Sequence, residues 1–176
     1  DAMWSWGVDQ RVSFWARRMA HETVIHAVDG HLATSTGFRI EPAVAIDGLD
    51  EYLENLAYLR AFATPETPFV GSGTVHLHAT DPDLADGLGE WMIEFDAAGY
   101  RFEHGHGKGD VAVRAPAETL ELLALGRRTL GGDRDDGGQA GDSDKGDSIQ
   151  EAGRADIEVF GNPEVFQRWL AGAAFR

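Results

Sequence analysis

The hydrophobic period of the chain changes near residues 64–73, and this change constrains the fold more than any other feature. Before this stretch, apolar residues recur at intervals of three and four, as on one face of an amphipathic helix. After it, apolar and polar residues alternate, which is typical of strands whose two faces differ. The stretch itself is rich in proline, threonine and glycine. We therefore predict two domains, residues 1–66 and residues 70–176.

Two amphipathic helices are predicted before this boundary. The first spans residues 10–30, with Asp9 as its N-cap and Gly30 as its C-terminal stop. The second begins at Pro42, because proline suits the first position of a helix. Its buried face is indicated by apolar residues at intervals of three and four, namely Ile46, Leu49, Leu53, Leu56 and Leu59.

Beyond the boundary, the pattern predicts an α+β domain. Strands are expected at residues 74–79, 90–95, 100–104 and 110–114, then a helix at 116–130, a strand at 156–160 and a helix at 163–173. This order, ββββαβα, is typical of helices packed on a mainly antiparallel sheet. Residues 131–153 are rich in glycine and aspartate and cannot bury enough apolar surface, so a disordered acidic loop is predicted there. Its aspartates lack the glycine and glutamate of an EF-hand, which argues against calcium.

The first predicted helix carries a pair of side chains that can bind a metal. At about 100° per residue, Glu22 and His26 lie roughly 40° apart on the helix surface. A carboxylate and an imidazole one turn apart can bind the same divalent ion. Trp15 and Met19 on the same face indicate an apolar pocket beside them. His21 lies about 100° from Glu22 and is not expected to share the ion.

The same spacing is also common on amphipathic helices that bind no metal. The H-E-x-x-H signature of metalloproteases is absent, since position 25 is isoleucine. Spacing alone therefore leaves both interpretations open.

His76 and His78 lie on one face of the first predicted strand, with apolar residues on the other. Two histidines at positions i and i+2 can hold zinc, although such residues more often cover a half-solvated sheet face. His104 and His106 lie in a glycine-rich turn and are expected to be exposed.

Composition excludes several classes of partner. The formal net charge is -15 and the sequence pI is about 4.7, so neither nucleic acid nor an anionic membrane surface is an expected partner. No apolar run approaches the roughly 20 residues of a membrane-spanning helix, and no signal peptide is visible. A cytoplasmic protein is therefore expected. The chain has no cysteine, so any thiol chemistry must use a thiol supplied from outside.

Several runs of the sequence resemble one protein family and occur in the order that the family has them. They are FWARRMAHETVIHAVD at residues 14–29, AIDGLDEYL at 45–53, TVHLHATD at 74–81, GEW at 89–91, DVAVRA at 110–115, residues 122–127 and IEVFGN at 157–162. The family is that of the mycothiol-dependent maleylpyruvate isomerases, and the resemblance covers nearly all of the chain except residues 131–153. It implies half of a four-helix, DinB-like bundle at residues 1–66, followed by the family's C-terminal α+β domain.

The resemblance also implies a metal and a thiol. Glu22 and His26 match two of the family's three ligands for a divalent metal, which is expected to be zinc, and mycothiol would be the thiol cosubstrate. Zinc lowers the pKa of a bound thiol. The thiolate would add to the double bond of a small cis-diacid, let the bond rotate and then leave. Arg127 matches the region of a functional arginine in the family and is expected to hold the substrate's carboxylate.

The family's third ligand is a histidine on earlier helices that this sequence lacks. Because the chain opens with Asp1, we expect a fragment of a longer protein rather than a short form with an incomplete site. The missing helices, or a second copy of the chain, are then expected to cover apolar residues of the first helix such as Trp15. The alternative function is a non-catalytic metal- or small-molecule-binding protein.

Overall fold

The computed structural model describes residues 1–62, 69–130, 132–133 and 156–174, and it has the predicted α+β fold. Its helices are α1 (Val12–Ala33), α2 (Pro42–Phe62), α3 (Ala117–Ala124) and α4 (Pro163–Ala173). Its strands are β1 (Gly73–Ala79), β2 (Glu90–Asp96), β3 (Gly99–His104), β4 (Val111–Ala115), β5 (Arg128–Thr129), β6 (Gly132–Asp133) and β7 (Glu158–Gly161). Among the described residues, no helix has the length and hydrophobicity that a membrane span requires.

Five of the strands form one sheet in the order β3–β2–β1–β4–β7. Only β1 and β4 are paired in parallel within it, and the other neighbours are antiparallel, which confirms the mainly antiparallel prediction. Val75 and Leu77 of β1 are fully buried in the core shared with the helices. Because side chains alternate along a strand, His76 and His78 project from the opposite face of the sheet.

The limits of α1 differ from the prediction at both ends. Asp9 does not cap the helix, because its carboxylate accepts a hydrogen bond from the side chain of Ser13 instead of from a backbone amide. Gly30 does not end the helix either. The chain turns only at Ser35, which has a positive φ of 51°, so the terminating left-handed residue is a serine that the glycine-based prediction could not identify.

The helix predicted at residues 116–130 is shorter than expected. It ends at Ala124 because Gly126 adopts a φ of 70°. The amides of Gly126 and Arg127 then donate hydrogen bonds to the carbonyls of Leu123 and Leu122, at 3.1 and 2.8 Å. This pair of bonds is a Schellman motif, which stops a helix and sets the direction of the following residues.

One contiguous core joins residues on both sides of the predicted domain boundary. It includes Leu49, Leu53 and Leu56 of α2 together with Leu77, Trp91, Leu120 and Trp169. Polar contacts follow the same path, since the Tyr52 hydroxyl donates to the carbonyl of Ala173 at 2.6 Å and the Trp91 indole donates to Asp50 at 2.6 Å. α2 is therefore packed against the sheet as well as against α1. The acidic loop predicted at residues 131–153 lies outside the described residues, apart from 132 and 133.

Candidate functional site

A cavity of about 500 Å³, which we call the helix pocket, lies between α1, α2 and α3. The α1 residues that line it are spaced by three and four positions, so they share one helical face: Trp15, Arg18, Met19, His21, Glu22 and Ile25. The opposite walls come from α2 and from α3 with the turn that follows it. A cavity therefore lies beside Trp15 and Glu22, but its lining also contains ionisable residues of α2, α3 and the following turn.

Glu22 and His26 lie next to each other at the rim of the helix pocket. Glu22 Oε2 is 3.2 Å from His26 Nε2. Glu22 lines the pocket, whereas His26 is 71% exposed and lies outside the lining. The other oxygen of Glu22 forms an ion pair with Arg18, one turn earlier on α1. The structure thus places Glu22 and His26 next to each other, as the helical spacing predicts. The guanidinium of Arg18, which lines the pocket, is bound to the same glutamate.

Arg127 lies in the pocket wall because the Schellman turn after α3 directs it there. Its guanidinium binds Asp29 through two hydrogen bonds, with Nε to Oδ1 at 3.0 Å and Nη2 to Oδ2 at 3.1 Å. Asp29 Oδ2 is in turn 3.7 Å from His26 Nδ1. One carboxylate therefore connects Arg127 to the Glu22–His26 pair.

Glu121, which the sequence analysis missed, is the most deeply buried acid in the pocket lining. Its side chain is 1% exposed, and Oε2 has no hydrogen-bond partner among the described residues. Burial, together with the nearby Glu118, Glu51 and Asp47, raises the pKa of Glu121 to about 8. The group is therefore mostly protonated near neutral pH.

His21 is buried beside Glu121, and both converge on Gly48 of α2. A Cβ at Gly48 would lie 2.1 Å from Glu121 Oε1 and 3.1 Å from His21 Nδ1. His21 Nε2 donates to Asp47 at 2.7 Å, while Nδ1 is buried without a hydrogen-bond partner among the described residues. The sequence did carry a signal, because a glycine inside a helix costs about 1 kcal/mol relative to alanine and so indicates a close approach.

Arg18 also binds the buried carboxylate of Glu51. Its Nη1 is 2.8 Å from Glu51 Oε2, and the amide of Asn55 donates to Oε1 at 3.1 Å. A carboxylate that is only 3% exposed needs such partners, because an unpaired buried charge is costly. Arg18 is therefore held between Glu51 and Glu22.

Glu22 and His26 fit a divalent metal as a pair of ligands. Zinc bonds of about 2.0–2.1 Å in tetrahedral geometry place neighbouring ligand atoms roughly 3.3 Å apart, and the observed separation is 3.2 Å. Arg18 contacts Oε1 and leaves Oε2 facing His26. In the part of the chain that the structure describes, no further histidine, aspartate or glutamate completes a group of three with this pair.

Comparisons with known proteins give one family match. A family model described as "MDMPI C-terminal domain" matches residues 43–147, which is more than half of the chain. The matched range contains all of α2 except Pro42, strands β1 to β4, α3 and Arg127, but it contains neither Glu22 nor His26.

Among solved structures, the chain is similar to one titled "UbiJ-SCP2 Ubiquinone synthesis protein", with 14% identity, a TM-score of 0.42, and coverage of 72% of this chain and 91% of that one. Another similar structure is sterol carrier protein 2 like 2 from Aedes aegypti, with 13% identity, a TM-score of 0.39, and coverage of 70% and 94%. A comparison with curated proteins gave no significant match.

Proposed function

The chain belongs to the mycothiol-dependent maleylpyruvate isomerase family, through the match to that family's C-terminal domain, and on this premise we propose that it is a metal-assisted thiol enzyme. The reaction would be the cis–trans isomerisation of a small unsaturated diacid, or transfer of the thiol to an electrophile, with mycothiol as cosubstrate. The observation that carries the proposal is the 3.2 Å separation of Glu22 and His26 at the rim of a pocket that also contains Arg127.

Glu22 and His26 are proposed as two ligands of a divalent metal, with zinc preferred. Carboxylate oxygen and imidazole nitrogen at this spacing both suit zinc. A zinc ion held here would lower the pKa of a thiol and so supply thiolate at neutral pH. The hydrogen bonds from Arg127 lower the pKa of Asp29, which keeps it anionic beside the second ring nitrogen of His26. A carboxylate in that position orients a ligating imidazole.

Arg127 is proposed to bind a carboxylate of the substrate. Asp29 accepts two of its N–H groups and the carbonyl of Leu125 accepts a third. Arginine has five N–H donors in one plane, so two are left for a carboxylate in the pocket as far as the described residues show. Such planar contacts with carboxylates are both strong and directional.

The rest of the pocket wall favours a small, partly apolar anion. Trp15, Ile25 and Leu125 line it with apolar surface, which lowers the local dielectric and strengthens the attraction between Arg127 and a carboxylate. Glu121, with a pKa of about 8, is mostly neutral at pH 7 and can donate a hydrogen bond to the substrate without repelling it. A volume of about 500 Å³ is in the range of small-molecule sites.

A second candidate function is non-catalytic binding of a small anionic molecule. The ion pair between Arg18 and Glu22 favours it, because Glu22 already has a cation as partner. In this case the pocket, Arg127 and Glu121 would hold the ligand, and Glu22 would not need a metal.

An activity assay with matched variants tests the proposal. Protein reconstituted with zinc is mixed with mycothiol and maleylpyruvate, and isomerisation is followed by ultraviolet absorbance. His26→Ala is expected to lower kcat/KM at least about 100-fold, since even the loss of a residue that only supports a metal ligand costs up to that factor. Arg127→Lys is expected to act mainly on KM, because the charge stays but the planar pair of donors is lost.

His31→Ala is the matched control, because His31 lies near the end of the same helix and outside the pocket lining. Its activity should equal that of the wild type. If wild-type protein shows no turnover but maleylpyruvate still changes the tryptophan fluorescence, the second candidate function replaces the first.

A further inference from the structure

Four side chains that can bind a metal, His76, His78, Glu90 and His106, meet on the face of the sheet opposite the core. We call this group the histidine cluster. Each residue offers one ligand atom, and the four atoms lie within 4.8 Å of one another. Within the described ranges it is the only group of three or more such residues. It shares no residue with the helix pocket.

Strand geometry places three of the four residues together. His76 and His78 are two positions apart on β1 and therefore project from the same face. In the register of β1 with β2, His78 lies opposite Glu90 and His76 lies opposite Met92. Glu90 is thus the direct neighbour of one histidine and the diagonal neighbour of the other. The buried alternate residues of β1 fix this face, since a slip by one residue would turn the histidines toward the core that the sheet shares with the helices.

His106 reaches the cluster from the glycine-rich loop between β3 and β4. Gly105 has a φ of 145°, a conformation that favours glycine, and its amide donates to the carbonyl of Glu90 at 3.1 Å. Gly107 lies against Met92, because a Cβ there would be 2.9 Å from the methionine sulfur. The two glycines allow the loop to pack against the sheet, and His106 lies between them in the sequence.

Glu90 is the centre of the histidine cluster. His76 Nε2 is 3.0 Å and His106 Nδ1 is 2.7 Å from Glu90 Oε2, and His78 Nδ1 is 3.2 Å from Oε1. These distances are close to the roughly 3.3 Å between neighbouring ligand atoms in a tetrahedral zinc site. The three rings are nearly perpendicular in each pair, at 83°, 87° and 83°, with centroids 6.0, 5.0 and 6.4 Å apart.

One buried nitrogen of the cluster makes no hydrogen bond among the described residues. It is His78 Nδ1, which lies 3.2 Å from Glu90 Oε1 without forming a hydrogen bond. A buried polar atom without a hydrogen bond costs free energy, and a metal ion would satisfy it.

We propose that the histidine cluster binds a divalent transition metal, with zinc as the preferred ion. Three imidazoles and one carboxylate are ligands that zinc accepts, and four protein ligands fill a tetrahedral shell. A filled shell is typical of structural sites. The ion would fasten the loop that carries His106 to β1 and β2. This site goes beyond the proposed function and is independent of it, because Glu22 and His26 take no part.

A zinc titration of the whole chain tests the site. Chelator-treated protein is titrated with zinc, and binding is measured by calorimetry and by competition with a chromophoric chelator. His106→Ala is the most informative variant, because its side chain is 76% exposed and contributes little packing. Its loss should weaken the tightest zinc site at least about tenfold, since losing a residue that only supports a ligand already has that effect.

Two control variants distinguish zinc binding by the histidine cluster from zinc binding elsewhere in the chain. His104→Ala removes an exposed histidine of neighbouring β3 that is outside the cluster, and it should bind zinc like the wild type. The double variant Glu22→Gln/His26→Ala should also retain the tight site. If wild type takes up no zinc, or if His106→Ala and His78→Ala both bind it as tightly as the wild type, the proposal is overturned.

Hydrogen exchange of residues 105–109 gives a second measurement of the same site. Zinc should slow exchange in this loop in the wild type and leave it unchanged in His106→Ala. Equal exchange with and without bound zinc in the wild type would show that the ion does not fasten the loop.

Discussion

The helix pocket and the histidine cluster each place a glutamate beside a histidine, yet they offer a metal ion different surroundings. In the pocket, Glu22 and His26 come from one turn of α1, and Arg18 binds the second oxygen of Glu22. In the cluster, Glu90 meets three imidazoles, and its ion pairs within the described residues are all with histidine. The pocket thus offers two potential metal ligands beside the guanidinium of Arg18. The cluster offers four, and none of the ion pairs of Glu90 within the described residues involves an arginine or a lysine.

This difference follows from the geometry of the two kinds of element. One face of a helix brings two side chains a turn apart to the same ion, so further ligands must come from another element. A sheet places next-but-one residues and cross-strand neighbours together, and a loop above it can add a fourth ligand. What the pocket has instead is an arginine and a protonated acid, Arg127 and Glu121, in the wall of a cavity of about 500 Å³.

The largest effect should come from replacing the buried ionisable acid of the pocket, Glu121, with an amide. Folded protein keeps the proton of Glu121 up to about pH 8, whereas an ordinary glutamate releases it near 4.5. The free energy of unfolding should therefore fall between these pH values, by up to about 1.4 kcal/mol per pH unit from this group. Glu121→Gln keeps the shape without the charge and should lack this loss.

Urea unfolding at several pH values between 5 and 8 checks this prediction. The quantity to follow is the difference in free energy of unfolding between Glu121→Gln and the wild type, because titrating groups that do not interact with Glu121 cancel in it. That difference should grow in favour of the variant as the pH rises. Glu41→Gln, at an exposed glutamate, is the control and should show no trend. A constant difference for Glu121→Gln would mean that this carboxyl is already ionised near pH 5.

A smaller effect is expected from adding a methyl group at Gly48, where α2 and α3 approach each other closely. Gly48→Ala places a Cβ 2.1 Å from Glu121 Oε1, and the resulting shifts should lower the free energy of unfolding by about 1–3 kcal/mol. Gly30→Ala is the matched control, because nothing lies within 4 Å of a Cβ there, and it should stabilise α1 by up to about 1 kcal/mol. Chemical denaturation of both variants measures these changes in the free energy of unfolding. Equal stabilisation by both would show that Gly48 is not needed for the approach of Glu121.

The elements of the fold could largely be predicted from the sequence, because each has a strong local signal. The alternation of apolar and polar residues predicts the four strands between residues 74 and 114. Asn162 followed by proline matches the observed start of α4 at Pro163. Helix ends have weaker local signals. Gly126 ends α3 with a positive φ, whereas Gly30 continues α1, and the two glycines look alike in the sequence.

The candidate site could be predicted only where its residues share one element. Glu22 and His26 were identified because one helical turn joins them. Glu121 was missed because it lies between apolar residues of an amphipathic helix, and its environment is created by Gly48, far away in the chain. The pair His76 and His78 was recognised on one strand face, but its partners depend on strand register and on a folded loop, which no local pattern specifies.

X-ray absorption at the zinc edge measures most directly whether the ligands of the tight zinc site lie on the sheet or on α1. Protein loaded with one equivalent of zinc should show a shell of nitrogen and oxygen ligands at about 2.0–2.1 Å, with the scattering of three imidazoles. The variant His106→Ala should lose one of the three. A shell with a single imidazole, as Glu22 and His26 alone would provide, would contradict the assignment of the tight site to the histidine cluster.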